Sequence, residues 1–172
     1  MIRRLGSHTG KRVYFGYDRY LASELDSYVA VLSQFGDVVQ AVEVGRLHYL
    51  TSAELVCRSL QNDPDAFGVL CCGTGMGMSI AANKFNGIYA ARCTSAEDAE
   101  LARTINNSNV VCIASKQGLA INTAILSTFA TTSYTGRKLE ELEYITTFEQ
   151  TPFVAAPAAS IAAGPRTLRR SA

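Results

Sequence analysis

Short apolar runs alternate with segments of helical periodicity along most of the chain. The apolar runs predict five strands, at residues 12–16, 38–44, 66–72, 87–93 and 109–114. Between them, apolar residues recur at intervals of three and four, which predicts helices. These cover residues 20–35, 51–61, 78–84, 95–105 and 116–131, with a last short helix at 138–147. Thr51 or Ser52 is the expected N-cap of the second helix, and Ser95 that of the fourth.

The alternation of strands and helices predicts an α/β fold, a doubly wound five-stranded parallel sheet of the Rossmann-like kind. Crossovers between parallel strands are right-handed. Ligands of such sheets bind beyond the carboxyl ends of the strands. Four turns follow strands and should meet at that edge: residues 18–19, 72–77, 94–95 and 115–116.

Length and composition favour a single domain. The chain has 172 residues, of which 48% are hydrophobic and 18% charged. We expect a flexible leader at residues 1–10, one domain at 11–148, and a flexible tail at 149–172, where Pro, Ala, Ser and Gly dominate. The chain shows no internal repeat.

Charge and hydropathy exclude several partner classes. The net charge is +1, which gives no electrostatic case for a nucleic-acid partner. No apolar run approaches the ~18 residues of a membrane span, so no membrane association is expected. The first residues are too short and polar for a secretory signal.

Five cysteines, an odd number without clustering in loops, argue against a disulfide framework and for a reducing compartment, so a cytoplasmic location is expected. Cys71 and Cys72 are adjacent in a strand and should point to opposite faces, one to the core and the other to the ligand side. His8 and His48 are the only histidines, so a zinc site is not expected.

The most informative stretch follows the third predicted strand. Cys72 ends the apolar run, and Gly73, Gly75 and Gly77 alternate with other residues before a helix opens. The spacing matches neither the Walker loop nor the dinucleotide-binding loop. Two interpretations remain open. Loop amides and a helix N-terminus can bind an oxyanion beside a proton-transferring thiolate, or the segment is a tight turn with an inert buried thiol.

From Cys72 to Lys84 the chain closely resembles the type B ribose-5-phosphate isomerase family, which includes the two subunits of galactose-6-phosphate isomerase. Residues 16–19 resemble the family's Gly-Cys-Asp-His. Residues 106–110 resemble its His-Asn-Asp-x-Asn-Val motif, offset so that Ile105 falls at the His, and Gly136-Arg137 resembles its Gly-Gly-Arg-His. The resemblance covers about residues 11–148.

The resemblance implies a cofactor-independent interconversion of aldose and ketose phosphates through a cis-enediolate, with Cys72 as the base. A thiol is mostly protonated at neutral pH, so it needs help from the loop dipoles to ionise. By position, Thr74 and the amides around the three loop glycines, Gly73, Gly75 and Gly77, match the anion hole. The remaining substrate contacts implied are Ser79, Asp18, Asn106 and, more loosely, Tyr49.

Several positions depart from the family pattern. Arg19 stands at a family His, Lys116 at a family Arg, and Glu141 at another family Arg. The phosphate-binding set implied is therefore Arg19, Lys116 and Arg137, since a guanidinium binds phosphate bidentately. The family's ring-opening His is Ile105, which has no acid–base function.

Three explanations of Ile105 are open. The substrate can be an acyclic four-carbon sugar phosphate, another group such as His48 can open the ring, or the chain can be a non-catalytic partner in a hetero-oligomer. Tetrose and pentose phosphates are equally weighted as substrates, and a nucleotide-binding domain is a weaker alternative. The resemblance also implies a homodimer or a dimer of dimers, with sites that draw residues from two subunits.

Overall fold

A computed structural model of the protein describes residues 2–43 and 45–150. The strands are β1 (Lys11–Tyr17), β2 (Gly36–Gln40), β3 (Phe67–Cys72), β4 (Ala90–Arg92) and β5 (Val110–Ala114). The helices are α1 (Leu25–Leu32), α2 (Tyr49–Asn62), α3 (Met76–Ala82), α4 (Ala96–Thr104), α5 (Leu119–Thr131) and α6 (Leu139–Thr146). Single 3₁₀ turns lie at Arg19–Leu21, Ser115–Gln117 and Thr147–Gln150.

The five strands form one sheet in the order β2-β1-β3-β5-β4, and every pair is parallel. The predicted fold class is thus confirmed. The two central strands β3 and β5 are buried along their whole length, because helices cover both faces of the sheet. This is why their sequences, FGVLCC and VVCIA, are apolar without alternation.

The core has one layer on each face of the sheet. Phe15, Tyr28 and Phe129 belong to the layer under α1, α4 and α5, whereas Val56 and Met78 belong to the layer under α2 and α3. Each such fully buried apolar side chain stabilises the fold by roughly 1.5–3 kcal/mol.

Two glycines let α2 lie close against the sheet. A Cβ on Gly16 would stand 2.8 Å from Val56 Cγ2, and a Cβ on Gly68 would stand 2.9 Å from Val56 Cγ1. Real Cβ atoms essentially never approach so closely. The groove that these glycines leave fixes the position of α2 on the sheet. Tyr49, the first residue of α2, therefore lies at the carboxyl edge of the sheet.

Some element boundaries differ from the predicted ones. The second helix is capped by His48, whose Nδ1 accepts a hydrogen bond from the N–H of Leu50 (3.3 Å), so the prediction of Thr51 or Ser52 as cap is wrong. Ser52 is buried instead, and its hydroxyl donates to the carbonyl of Tyr17 (2.7 Å). The predicted cap Ser95 is confirmed, since its Oγ accepts from the N–H of Asp98 (3.1 Å).

The first helix is shorter than predicted. Asp18 caps a separate 3₁₀ turn at Arg19–Leu21, and α1 begins only at Leu25. The second strand likewise ends at Gln40 rather than at residue 44.

The segment before β1 packs against the body of the fold. Ile2 and His8 are buried, and Gly6 forms a bridge with Tyr134. The side-chain amide of Asn107 donates to the carbonyls of Ile2 and Arg4. These contacts do not agree with a flexible leader at residues 1–10. Nearly all of the predicted tail, residues 151–172, lies outside the described residues. Within those residues, no helix combines the length and the apolar character needed to cross a membrane.

Candidate active site

A cavity of about 400 Å³ lies at the carboxyl edge of the sheet. Its walls come from the loops after β1, β3 and β5 and from the start of α2. The lining residues are Asp18, Tyr20, Tyr49, Cys72, Gly73, Thr74, Gly77, Ser115 and Lys116. The structure thus brings seven of the predicted site residues together, which are all of these except Tyr20 and Ser115.

Cys72 is the last residue of β3 and contributes its thiol to the cavity wall. Cys71 packs in the core layer of the opposite face, as adjacent strand residues must. The Cys72 sulfur accepts a hydrogen bond from the N–H of Gly75 at 3.2 Å. The loop backbone thus directs an N–H donor at the sulfur that faces the cavity.

The other four cysteines are held as neutral thiols. Burial raises the pKa of Cys57 and of Cys93 to about 12. Burial also raises the pKa of Cys71 and of Cys112. None of these four lines the cavity, whereas Cys72 does.

Two glycines of the loop are required by geometry. Gly75 has φ +72°, and a Cβ there would lie 3.2 Å from the carbonyl oxygen of Ile113. A Cβ on Gly77 would lie 2.8 Å from Cε2 of Tyr49, so the Tyr49 ring packs directly over the backbone of the loop. The Gly75 amide contacts the sulfur of Cys72, and Gly75 is not part of the cavity lining. Gly73, Thr74 and Gly77 are the loop residues that reach the cavity.

A negatively charged and a positively charged side chain line the cavity together with the thiol. Asp18 is 6% exposed, and its carboxylate accepts a hydrogen bond from the N–H of Tyr20 (3.0 Å), which fixes it in the cavity wall. Lys116 follows β5, and among the described residues it is the one cation in the cavity lining.

Two predicted residues lie near the cavity but not in its lining. Arg19 is exposed and packs on Tyr20, with its Cζ 5.2 Å from the ring centroid and one Nη 3.4 Å from the hydroxyl oxygen. Ser79 is in the second turn of α3 rather than at its start, because the helix begins at Met76. Burial raises the pKa of the nearby Cys112 thiol, and the Ser79 hydroxyl opposes that shift.

Asn106 and Arg137 do not line the cavity of their own chain. Asn106 lies between α4 and β5, and Arg137 between α5 and α6. Both loops follow helices that return from the carboxyl edge, so Asn106 stands at the amino end of β5. There it lines a second cavity of about 210 Å³ together with Tyr89, Ser108 and residues of α6.

Tyr20, Ser115 and Arg92 are not among the site residues that the sequence predicts. Tyr20 falls within the first predicted helix, although its position two residues after Asp18, just beyond a strand end, is a usable signal. Ser115 lies in a turn already predicted to face this edge. Arg92, at the end of β4, donates from Nε to the carbonyl of Thr74 (2.8 Å), and nothing in the sequence indicated that contact. Across the described residues, no group of three or more His, Cys, Asp or Glu side chains is arranged to hold a metal ion.

Comparison with known proteins decides the family. Residues 15–145 match the family model described as Ribose/Galactose Isomerase. The chain belongs to this family. Ribose-5-phosphate isomerase B of Escherichia coli is 34% identical over 147 residues, an alignment that covers 81% of this chain and 97% of the relative.

Two further relatives align over part of their length. The 4-deoxy-4-sulfo-D-erythrose isomerase of a Clostridium species is 40% identical over 98 residues, which cover 54% of this chain and 58% of that relative. The DNA damage-repair/toleration protein DRT102 of Arabidopsis thaliana is 40% identical over 101 residues, which cover 58% of this chain. That alignment spans about a third (32%) of the Arabidopsis protein.

A solved structure shows the same fold. The type B ribose 5-phosphate isomerase of Leishmania infantum superposes with a TM-score of 0.74 and 30% identity, covering 83% of this chain and 98% of that one. The chain is therefore an aldose–ketose isomerase of sugar phosphates by family, and the cavity around Cys72 is its candidate active site.

Proposed function

We propose that the cavity isomerises a short aldose phosphate to its ketose, with Cys72 as the base. The observation that carries this proposal is the Cys72 sulfur. It lines the cavity at the end of β3 and accepts the Gly75 N–H at 3.2 Å. A positioned base contributes typically 10²–10⁴-fold to such a proton transfer.

The proposed reaction moves two protons. The Cys72 thiolate removes the proton from C2 of the open-chain aldose, and the electron pair shifts to the carbonyl oxygen on C1 to give the enediolate. Cys72 then returns a proton to C1, while the C2 hydroxyl loses its proton and becomes the ketose carbonyl. The C2 hydroxyl loses one proton and the C1 oxygen gains one, so the number of protons on the sugar is unchanged.

The loop after β3 supplies the electrostatic part of catalysis. The backbone around Gly73 and Gly77 and the hydroxyl of Thr74 face the place where negative charge develops on O1 and O2. Fixed donors of this kind can be worth several kcal/mol because they need no reorganisation during the reaction. The Asp18 carboxylate accepts a hydrogen bond from a substrate hydroxyl and so orients the carbon chain.

Phosphate binding is assigned to Lys116 and to a second copy of the chain. Lys116 is the cation in the cavity lining, and Arg19 stands just outside it. Asn106 and Arg137 lie away from the cavity of their own chain, so we propose a homodimer, or a dimer of dimers, in which the partner supplies both. Exposed apolar side chains on α3 and around α6, Met76, Ile80, Ile145 and Phe148, suit such an interface.

The favoured substrate is a four-carbon sugar 4-phosphate. Such a sugar has no free hydroxyl placed to close a stable ring, so it needs no ring-opening acid. The family has that acid at the position of Ile105, so a substrate that needs no ring opening accounts for the apolar residue there. The similarity to a relative named for a four-carbon sulfosugar supports this choice. We propose a cytoplasmic location, since all five cysteines are free.

Proton NMR in deuterated water tests the proposed reaction. The purified protein is incubated with tetrose, pentose and hexose phosphates, and deuterium entry beside the carbonyl is followed. Exchange with the tetrose phosphate alone would support the full proposal. Exchange with ribose 5-phosphate would overturn the proposal that the substrate is a four-carbon sugar. Binding without exchange of any of them would instead indicate a non-catalytic or partner-dependent subunit.

A further inference from the structure

Arg92 is connected to Cys72 through a single peptide group. The guanidinium Nε of Arg92 donates to the carbonyl oxygen of Thr74 at 2.8 Å. The N–H of the same peptide group belongs to Gly75, and it donates to the Cys72 sulfur at 3.2 Å. The two hydrogen bonds therefore lie on opposite ends of one amide.

Hydrogen bonds that share an amide strengthen each other. A charged donor on the carbonyl draws electron density toward oxygen, which makes the N–H at the other end a stronger donor. Within the described residues no carboxylate lies within 4 Å of the Arg92 guanidinium, so its charge is not neutralised by an ion pair.

The local geometry holds this arrangement in place. Gly75 adopts φ +72°, and a Cβ there would be 3.5 Å from Cγ of Arg92, so the Arg92 side chain lies against the loop at this residue. Arg92 itself is fixed at the end of β4, where it pairs with Cys112 of β5. The side chain thus reaches the loop from the end of β4 and is not part of the cavity lining.

We infer that Arg92 is a positioning residue that stabilises the Cys72 thiolate through the Thr74–Gly75 peptide group. It does not touch substrate, because it is not part of the cavity lining. This inference deepens the proposed function, in which Cys72 is the base. The only chemical change it concerns is the loss of the thiol proton to solvent.

The test is the pH dependence of Cys72 alkylation by iodoacetamide, which needs no isomerase turnover. Labelling is located by mass spectrometry, and Cys72→Ser identifies the signal of this residue. In Arg92→Met we expect the midpoint of the rate profile to move up by about half to one pH unit. That shift corresponds to roughly three- to tenfold slower labelling near neutral pH.

Arg58→Met is the matched control, because it removes the same charge from the exposed side of α2, where Arg58 pairs with Glu54. A profile of Arg92→Met that superimposes on those of the wild type and of Arg58→Met would overturn the inference. If Arg92→Met does not fold, Arg92→Gln replaces it, and an unshifted profile there overturns the inference equally. Full isomerase activity in Cys72→Ser would show that Cys72 is not the base. The alkylation experiment would remain a separate test of the effect of Arg92 on the Cys72 thiol.

Discussion

Cys72 differs from its neighbours in the groups around its sulfur. Cys71, one residue away, lies in the core without exposure, and burial raises its pKa. The sulfur of Cys72 instead meets an amide donor and a cavity. At the scale of single residues, the proposed chemistry therefore depends on the loop backbone that presents Gly75 N–H to sulfur.

Gly75→Ala tests that dependence. A Cβ there would lie 3.2 Å from the Ile113 carbonyl, and the alanine would have to adopt φ +72°, so we expect the loop to shift and the contact between the amide and the sulfur to lengthen. We expect kcat to fall by about tenfold or more, since one lost hydrogen bond to a charged group is worth roughly 1.5–3 kcal/mol.

Gly10→Ala is the control for this variant. Gly10 also has positive φ (+77°), but nothing lies within 4 Å of its Cβ position. Gly10→Ala should lower the folding stability through backbone strain but leave kcat unchanged. Equal kcat in both variants and the wild type would show that the position of the Gly75 amide is unimportant.

At the scale of elements, the segment before β1 carries a buried histidine. The His8 ring stacks on Phe67 (centroids 4.7 Å apart), and Nε2 lies 3.4 Å from the carbonyl oxygen of Ser108. Burial lowers the pKa of His8 to about 2, with smaller contributions from the positive charges of Arg103 and Lys11. His8 is therefore neutral in the folded protein at ordinary pH.

This makes folding stability depend on pH. The unfolded chain binds a proton at His8 below about pH 6.5, whereas the folded chain does not until near pH 2. Stability is thus lost as the pH falls below 6.5, by up to about 1.4 kcal/mol per pH unit. Urea unfolding at pH 7.5 and 5.5 should show a loss of roughly 1 kcal/mol from this residue.

His8→Phe keeps an aromatic ring at the stacking position and should flatten that pH dependence. The control is His48→Phe, which removes the exposed histidine, the only other one in the chain. It should keep the wild-type slope. If His8→Phe loses as much stability as the wild type between the two pH values, His8 is not the group responsible.

At the scale of the whole molecule, the proposed site requires two copies of the chain. Cys72 lines the cavity, whereas Arg137 is in the loop before α6 and does not. In a symmetric dimer each site would then combine Cys72 of one copy with Arg137 of the other. Variants of the two residues should therefore complement each other.

Cys72→Ser and Arg137→Ala are each expected to be inactive as homodimers. After mixed refolding in equal amounts, half of the dimers should be mixed, with one intact site in two, which restores about a quarter of the wild-type activity. Mixtures that stay as inactive as the separate variants would place both residues in the same subunit's site or in no common site.

The sequence predicted the layered architecture well because parallel strands and helices leave strong periodic patterns. It also located the thiol and glycine loop at the correct edge. The same pattern places Asn106 after a helix and before a strand, hence at the opposite edge from Cys72, and its role as a substrate contact comes from the motif resemblance alone. Arg92 could not be found, because a cation at a strand end leaves no pattern and its contact with Thr74 depends on the path of the loop.

The most direct measurement is deuterium exchange at the carbon beside the carbonyl, catalysed by Cys72→Ser and by the adjacent control Cys71→Ala. Both variants remove one thiol, but only Cys72 lines the cavity. The account predicts that Cys71→Ala retains exchange with the sugar phosphate that the wild type converts, and that Cys72→Ser loses about a hundredfold or more. Exchange at the wild-type rate in Cys72→Ser would contradict the central claim that this thiol is the base.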